Sequence, residues 1–437
     1  MPSHTHRRQF LQSTSAAAAA TLVSHSRALA ARSANDQLVV ALVGCGSRGT
    51  HDAGLFQQTP NVKLAYACDV DAARRQATAQ KLGLDSTQIV DDMRRVLDDK
   101  AVDIVLVTTP DHWHSPAAIL ACEAGKHVYV EKPVSHNIRE GRLLVEAAAH
   151  NKTMVQHGTQ SRSTPMMIEA VKLLRSGVIG TVLEAKCWNV QRRKPLAPGK
   201  DTAPPPELDY NNWVGPATMV PYRTNRVHHR WTMWYHFGTG DMGNDGVHDV
   251  DYTRWGLGVD THPTRISALG GKFYLDDDGQ FPDTQQVTFE YPGDGTFGSR
   301  RLLVYEQRLW STNYPHNCDS GAEFYGTKGQ MFLSRRGKIE IRADRNATID
   351  VAIKPEPQND VLHVHNLCDA IRENAKLNAD ALTGHLSTSL CHLGNIATRV
   401  GRSLVFDAAS ERIVGDAEAD ALVRREYRGH WGKPSHA

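Results

Sequence analysis

The chain has 437 residues, 40% of them hydrophobic and 22% charged, with a formal net charge of +2. This is ordinary globular composition, and the length suggests two or three domains. The interspersed charges leave no electrostatic footprint for nucleic acid, and no apolar run reaches the ~20 residues needed for stable membrane insertion.

Residues 1–35 read as an export segment. Arg7-Arg8 precede Phe10-Leu11, a weakly apolar stretch runs from Ala16 to Val23, and Ala28-Leu29-Ala30 offers small residues for a signal peptidase. That order resembles a twin-arginine signal. The expectation is therefore recognition by the twin-arginine export machinery, which moves folded proteins, and a periplasmic location.

Residues 36–159 carry the clearest folding signal. Leu38 to Val43 is a continuous apolar run, as in a strand buried on both faces of a parallel sheet. Gly44-Cys45-Gly46-Ser47-Arg48-Gly49 follows, then a helical segment, then a second strand, Val62 to Cys68, ending in Asp69. Gly44 permits the tight turn, Gly46 lets backbone approach a pyrophosphate, and Gly49 lets helix and strand pack closely. The first helical turn, with Ser47 and Arg48, offers N–H groups and a positive dipole end to phosphates. Asp69 lies where a carboxylate accepts hydrogen bonds from an adenosine ribose. The cofactor expected is NAD(H) over NADP(H), because a carboxylate repels a 2′-phosphate; Arg48 and Arg74 are the cations that would offset this.

The alternation continues. Asp71 to Leu82 and Met93 to Leu97 read as helices, and Val102 to Val107 as a buried strand ending in Thr108-Thr109-Pro110. Thr109 and Pro110 thus stand at the carboxyl edge of the sheet, where ligands bind in such folds. A helix from Ser115 to Gly125, the strand His127 to Val130, the triplet Glu131-Lys132-Pro133 and a helix from Ile138 to His150 complete a doubly wound parallel sheet.

Thr109-Pro110-Asp111-His112-Trp113-His114, Ala124 to Val128 and Glu131-Lys132-Pro133, in this order and spacing, resemble the Gfo/Idh/MocA oxidoreductases. Gly158-Thr159-Gln160, Gly240 to His248 and Phe324 to Gly329 extend the resemblance over nearly everything after the export segment. It implies a Rossmann dinucleotide-binding domain, then an α+β substrate and oligomerisation domain over 160–418, with a large, open, mainly antiparallel sheet. A homo-oligomer and a carbohydrate substrate are implied with it. Residues 419–437 read as a polar, loosely ordered tail containing Trp431.

The resemblance places Lys132 near both nicotinamide and substrate, where an ammonium can hydrogen-bond a substrate hydroxyl. Glu131 is expected to orient Lys132 or to touch the cofactor ribose. Of the histidines beside the cofactor loop, His114 is the candidate contact, and Trp113 a candidate wall of the nicotinamide pocket. His248 is the candidate base, because an imidazole can take a hydroxyl proton near neutrality. The family commonly has an Asp four residues before this histidine, but position 244 is Asn. Asp241 and Asp245 are the two carboxylates left to partner it.

Weaker features remain. Trp231 to Phe237 is an aromatic cluster fit for sugar faces or for core, and Gln191-Arg192-Arg193-Lys194 is a basic run fit for an acidic sugar or for a solvated turn. Seven scattered cysteines form no disulfide framework, and no Cys/His cluster has metal-ligand spacing. Strands are expected at Thr284 to Glu290, Arg300 to Tyr305 and Lys338 to Ile341, and a packing helix over Leu386 to Leu404.

Three functions fit these residues. One is an NAD(H)-dependent dehydrogenase acting on a secondary alcohol of a sugar or cyclitol. Another is a glycosidase that retains its NAD and works by oxidation, elimination, addition and reduction, which suits an exported protein without a free NAD pool. A non-catalytic binding protein is the third; Lys132, His248 and the three glycines argue against it.

Overall fold

The computed structural model describes residues 37–228 and 230–436; the expected export segment lies outside them. The first unit runs β1 (Leu38–Val43), α1 (Ser47–Gln58), β2 (Val62–Cys68), α2 (Ala72–Leu82), β3 (Ile89–Val90), α3 (Met93–Asp98), β4 (Ile104–Val107), α4 (Asp111–Glu123), β5 (His127–Val130), α5 (Ile138–Asn151) and β6 (Val155–His157). Its six strands are parallel, in the order β3-β2-β1-β4-β5-β6, the Rossmann arrangement. The apolar run of β1 explains why. Val40 and Leu42 enter the core on one face of the sheet, and Ala41 and Val43 enter the other.

The second unit contains α6 (Pro165–Ser176), β7 (Val182–Val190), α7 (Tyr210–Val214), α8 (Val247–Leu257), β8 (Arg265–Gly271), β9 (Thr284–Tyr291), β10 (Arg301–Arg308), β11 (Ser320–Gly326), β12 (Gly329–Ser334) and β13 (Lys338–Ala343). It continues with α9 (Asp360–Glu373), α10 (Ala381–Val400), β14 (Leu404–Asp407), β15 (Arg412–Val414) and α11 (Ala417–Ala421). Nine strands form one sheet, β13-β12-β11-β7-β10-β9-β8-β14-β15, in which β7 and β10 pair in parallel and the other neighbours are antiparallel. Val247 and Val250 of α8, with Leu390 and Leu393 of α10, pack onto Phe289 and Leu303 on one face of this sheet. The expected open sheet is therefore present, covered by helices on one side. Gly401, in the left-handed region at φ +68°, ends α10 four residues earlier than the sequence suggests, and Leu404 begins a strand instead. All seven cysteines are buried, and none forms a disulfide among the described residues.

Two long-range returns tie the units together. Helix α9 comes back to the first sheet, where Val364, Leu367 and Cys368 join the core formed by Val40, Leu42 and Ile104. The tail is the other return, and it overturns the expectation of loose order. Pro116, inside α4, has no N–H to give the carbonyl of His112, and the Arg425 guanidinium donates to that carbonyl at 2.7 Å. The same arginine pairs with the buried Glu140 at 2.7 Å, so the tail satisfies two buried groups by docking. Among the described residues no helix is long and apolar enough to cross a membrane.

Burial pushes the imidazoles of His112 down to about 3 and of His157 and His363 down to about 4. Their folded values lie below the ~6.5 of an unfolded histidine, so the unfolded chain binds more protons in this window. Their contribution to stability is complete above pH ~6.5 and is lost as the pH falls towards 4. Asp111 and Asp249, raised by burial to about 7, oppose this in part. The expected outcome is a melting temperature that falls steadily between pH 6.5 and 4 in a calorimetric series. A melting temperature flat across that range would show that these imidazoles are not buried as neutral groups.

Candidate active site

The turn after β1 forms the floor of a cavity of about 680 Å³. Gly44 sits at φ +104°, and a Cβ there would stand 2.6 Å from the carbonyl carbon of Thr108 in the loop after β4. A Cβ on Gly49 would strike Gly44 and the Thr108 side chain. Gly46 differs: a Cβ there would meet nothing nearer than the Arg74 guanidinium at 3.5 Å, because that face opens to the cavity. Gly46 also caps α1 without a side-chain acceptor, so the first-turn N–H groups at Ser47 and Arg48 face the cavity without a side-chain cap.

Asp69 stands at the other end of this floor. Its carboxylate accepts the N–H of Cys45 at 2.7 Å and of Asp71 at 2.9 Å, which fixes its orientation and leaves lone pairs for a diol. Thr109 and Pro110 line the wall, and Thr109 Oγ1 is buried without a hydrogen-bond partner. An open glycine face, uncapped helix N–H groups, an oriented carboxylate and an orphaned hydroxyl fit a dinucleotide. Arg48 does not serve a 2′-phosphate: it pairs with Asp52 at 3.0 Å, Glu131 at 3.1 Å and Asp360 at 2.9 Å. Arg74 is the expected cation that remains at the cavity.

Two candidate cofactor contacts stand behind this wall. His114 is buried, with Nδ1 2.6 Å from the carbonyl oxygen of Pro133 and Nε2 2.7 Å from that of Thr109. Burial pushes its pKa down, whereas two carbonyl acceptors are both served only by an imidazolium. With the Glu131 carboxylate close by, the geometry is the stronger constraint, and His114 braces the loops that carry Thr109 and Lys132. Glu131 is also buried; it accepts from Gln160 at 2.8 Å and from the Lys132 N–H at 3.1 Å. Burial raises its pKa, but the Arg48 and Lys132 charges outweigh this and hold it below the usual carboxylate value.

Lys132 reaches across the domain boundary. Its Nζ donates to the Asn244 carbonyl at 2.6 Å and to the Asn244 side-chain oxygen at 3.2 Å. Asn244 lies in a π-helical turn, Met242–Gly246, that runs directly into α8. His248, in the first turn of α8, is buried, and its Nδ1 has no hydrogen-bond partner. Burial, reinforced by the Arg335 and Lys132 charges, pushes its pKa well below the ordinary value, so the imidazole is neutral. Asp241 and Asp245, the expected partners, turn instead to Arg193: Asp241 pairs with it at 2.8 Å, and Asp245 contacts both Arg193 and Gln191. Asp245 is held at about 2, because the Lys132 and Arg193 charges overcome its burial.

Reasoning from sequence missed several walls. Asp71 is paired with His228 at 2.9 Å, and the Ala72 N–H donates to the Glu207 carbonyl at 2.9 Å, so the segment between β7 and α8 lies against the cofactor cavity. From the tail, Trp431 enters the wall, donating to the Asn212 side chain at 3.1 Å and packing 5.4 Å from the Trp113 ring. The isolated aromatics gave the only hint. Of the Trp231 to Phe237 cluster, Trp234 and Phe237 are core, whereas Trp231 lines the cavity. Cys391 and His392 are both buried in α10, as a packing pair.

Residues 38–159 match the NAD-binding Rossmann-fold model of an oxidoreductase family, and residues 188–433 match its C-terminal alpha/beta domain. The chain belongs to the Gfo/Idh/MocA oxidoreductase family. It is 24% identical over 319 residues to the scyllo-inositol 2-dehydrogenase (NAD(+)) of Bacillus subtilis, covering 72% of this chain and 80% of that one. It is 28% identical over 209 residues to a glycosyl hydrolase family 109 protein of Shewanella putrefaciens, covering 41% and 45%. The solved aldose-aldose oxidoreductase of Caulobacter crescentus shares the fold, with a TM-score of 0.65 at 19% identity over 85% of this chain and 100% of that one.

Asp69→Ala is expected to weaken NAD(H) binding roughly tenfold or more, the scale of lost hydrogen bonds to a charged acceptor. Trp431→Ala is expected to speed NAD(H) dissociation several-fold by removing one aromatic wall. Fluorescence titration and stopped-flow displacement read the two effects. Unchanged affinity in the first variant would mean that the ribose is held elsewhere.

Proposed function

We propose that this member of the Gfo/Idh/MocA family oxidises or reduces a secondary alcohol carbon of a sugar, cyclitol or sugar derivative. The observation that supports it is that Lys132, in the loop after β5 of the dinucleotide-binding domain, donates to Asn244, four residues before the buried His248 of α8. NAD, held by the Gly44–Gly49 turn and Asp69, supplies the two-electron redox chemistry. Lys132 has three N–H donors; Asn244 takes two of them, and the third binds the reacting oxygen. His248 accepts the hydroxyl proton on its imidazole, which burial keeps unprotonated. Asn244 can orient Lys132 but cannot take a proton, so His248 works without a carboxylate dyad. His114 and Glu131 position the Lys132 loop from behind.

The glycosidase that retains its NAD is the second reading. It is favoured by the crossing segment and the tail, which wall the cofactor cavity with Trp213, Trp231 and Trp431, and by the likeness to a family 109 hydrolase. Acidifying a ring C–H by oxidation of its neighbour, then expelling an aglycone, would use the same Lys132 and His248. Export by the twin-arginine route to the periplasm belongs to this proposal, on the strength of Arg7-Arg8 and the stretch that follows. So does a homo-oligomer formed through the uncovered face of the large sheet, where Leu269 and Leu302 stand exposed.

Lys132→Ala is expected to lower turnover by a factor on the order of 10² or more while NAD(H) stays bound, and His248→Gln by ~10²–10⁴. Because the His248 imidazole titrates below ~6.5, kcat/KM should lose activity on the acid side only below that pH, as the base becomes protonated. A broad sugar and cyclitol panel, followed by nicotinamide absorbance, tests the reading. If no member of the panel changes the absorbance, the dehydrogenase fails; if Lys132→Ala turns over normally, its role fails.

A further inference from the structure

The basic run Gln191 to Lys194 divides once folded. Arg193 is spent on Asp241 and Asp245, but the chain then passes along a second cavity of about 210 Å³. Its wall includes Arg193, Lys194, Arg230, Trp231, Asp241 and Asn244. Two of these tie it to the reacting centre: Asn244 is the residue that holds Lys132, and Trp231 also lines the dinucleotide cavity. A sugar whose hydroxyl lies at Lys132 therefore has this cavity beside its ring.

The charges there do not cancel. Asp241 and Asp245 are matched by Arg193, with Lys132 near Asp245, and Asp277, the other carboxylate in the wall, is matched by Lys272. Lys194 and Arg230 make no ion pair with any described residue; the Arg230 guanidinium donates only weakly, at 3.4 Å, to the Lys194 carbonyl. Lys194 is exposed and Arg230 half-buried, so neither is locked into the protein's own packing. Two excess cations at a cavity mouth, one of them a planar fork, suit an anionic group on a bound sugar.

We propose that this cavity is a substrate subsite for a carboxylate, and that the preferred substrate class is the sugar acids. Arg230 binds the carboxylate as a fork, Lys194 adds a second charge, and Trp231 offers its face to the ring. The inference rests on the reading that Lys132 receives a sugar hydroxyl, and it adds the class of sugar. Both cations are partly solvated, so the expected selectivity is modest, about five- to tenfold, and falls as salt rises.

The test is direct binding to the NAD(H)-loaded protein, read by tryptophan fluorescence, with D-glucuronate and D-galacturonate against D-glucose and D-galactose. Uronates are expected to bind about five- to tenfold more tightly than their parent aldoses at low salt. In the Arg230→Gln, Lys194→Gln double variant the uronate-to-aldose ratio should collapse towards one. An aldose that binds as tightly as its uronate overturns the subsite, as does a preference that survives the double variant. Tighter binding of glucose 6-phosphate than of glucuronate overturns the carboxylate assignment. Because binding is read without turnover, uronate selectivity in a protein that oxidises no sugar would support the subsite and sink the dehydrogenase reading instead.

Discussion

The dinucleotide cradle depends on the close approach of the turn after β1 to the loop after β4. Gly44 and Gly49 both face Thr108 at distances that no side chain could share. That contact sets where α1 begins, and so where its uncapped N–H groups face. It also sets the height of Thr109 and Pro110 above the sheet. Asp69 then closes the floor by accepting from Cys45, inside the same turn. The cradle is thus a backbone construction, closely packed because glycine places no side chain between turn and loop, and the residues that meet a dinucleotide inherit their positions from it.

The proposed chemistry sits where the two units touch. Lys132 belongs to the first unit, yet its amine is held by Asn244 of the second, in a π-helical turn that feeds α8. The same turn carries Asp241 and Asp245 towards Arg193 and leaves His248 with a buried, free ring nitrogen. An ion pair with a carboxylate would raise the proton affinity of that imidazole; without one, burial lowers it and the nearby cations lower it further. The site therefore separates its roles. In the proposed reaction a cation binds oxygen and a neutral ring takes a proton, while the carboxylates hold an arginine in place.

Much of the first unit was legible because parallel strands buried on both faces are unbroken apolar runs, and because Gly44, Gly46, Gly49 and Asp69 have mechanical jobs at fixed spacing. The second sheet was legible only in pieces, since half-buried strands such as β13 carry a weaker alternation. Spacing misled at His248: counting turns of an α-helix back to Asp241 or Asp245 fails when the intervening turn is π-helical. Short strands such as β6, with three residues, carry too little pattern to read. The tail was illegible for another reason. Its order depends on partners some three hundred residues away, the carbonyl freed by Pro116 and the indole of Trp113, and no local pattern encodes such a match.

These walls have a common consequence. The segment between β7 and α8 and the tail both line the dinucleotide cavity, and slow release of a bound cofactor is the expected outcome. The most direct measurement is to purify the full-length protein without added cofactor, denature it, and assay the supernatant for NAD(H). Close to one NAD(H) per chain is the expected result. A protein that carries none, and that takes up none when NAD(H) is supplied, would contradict it.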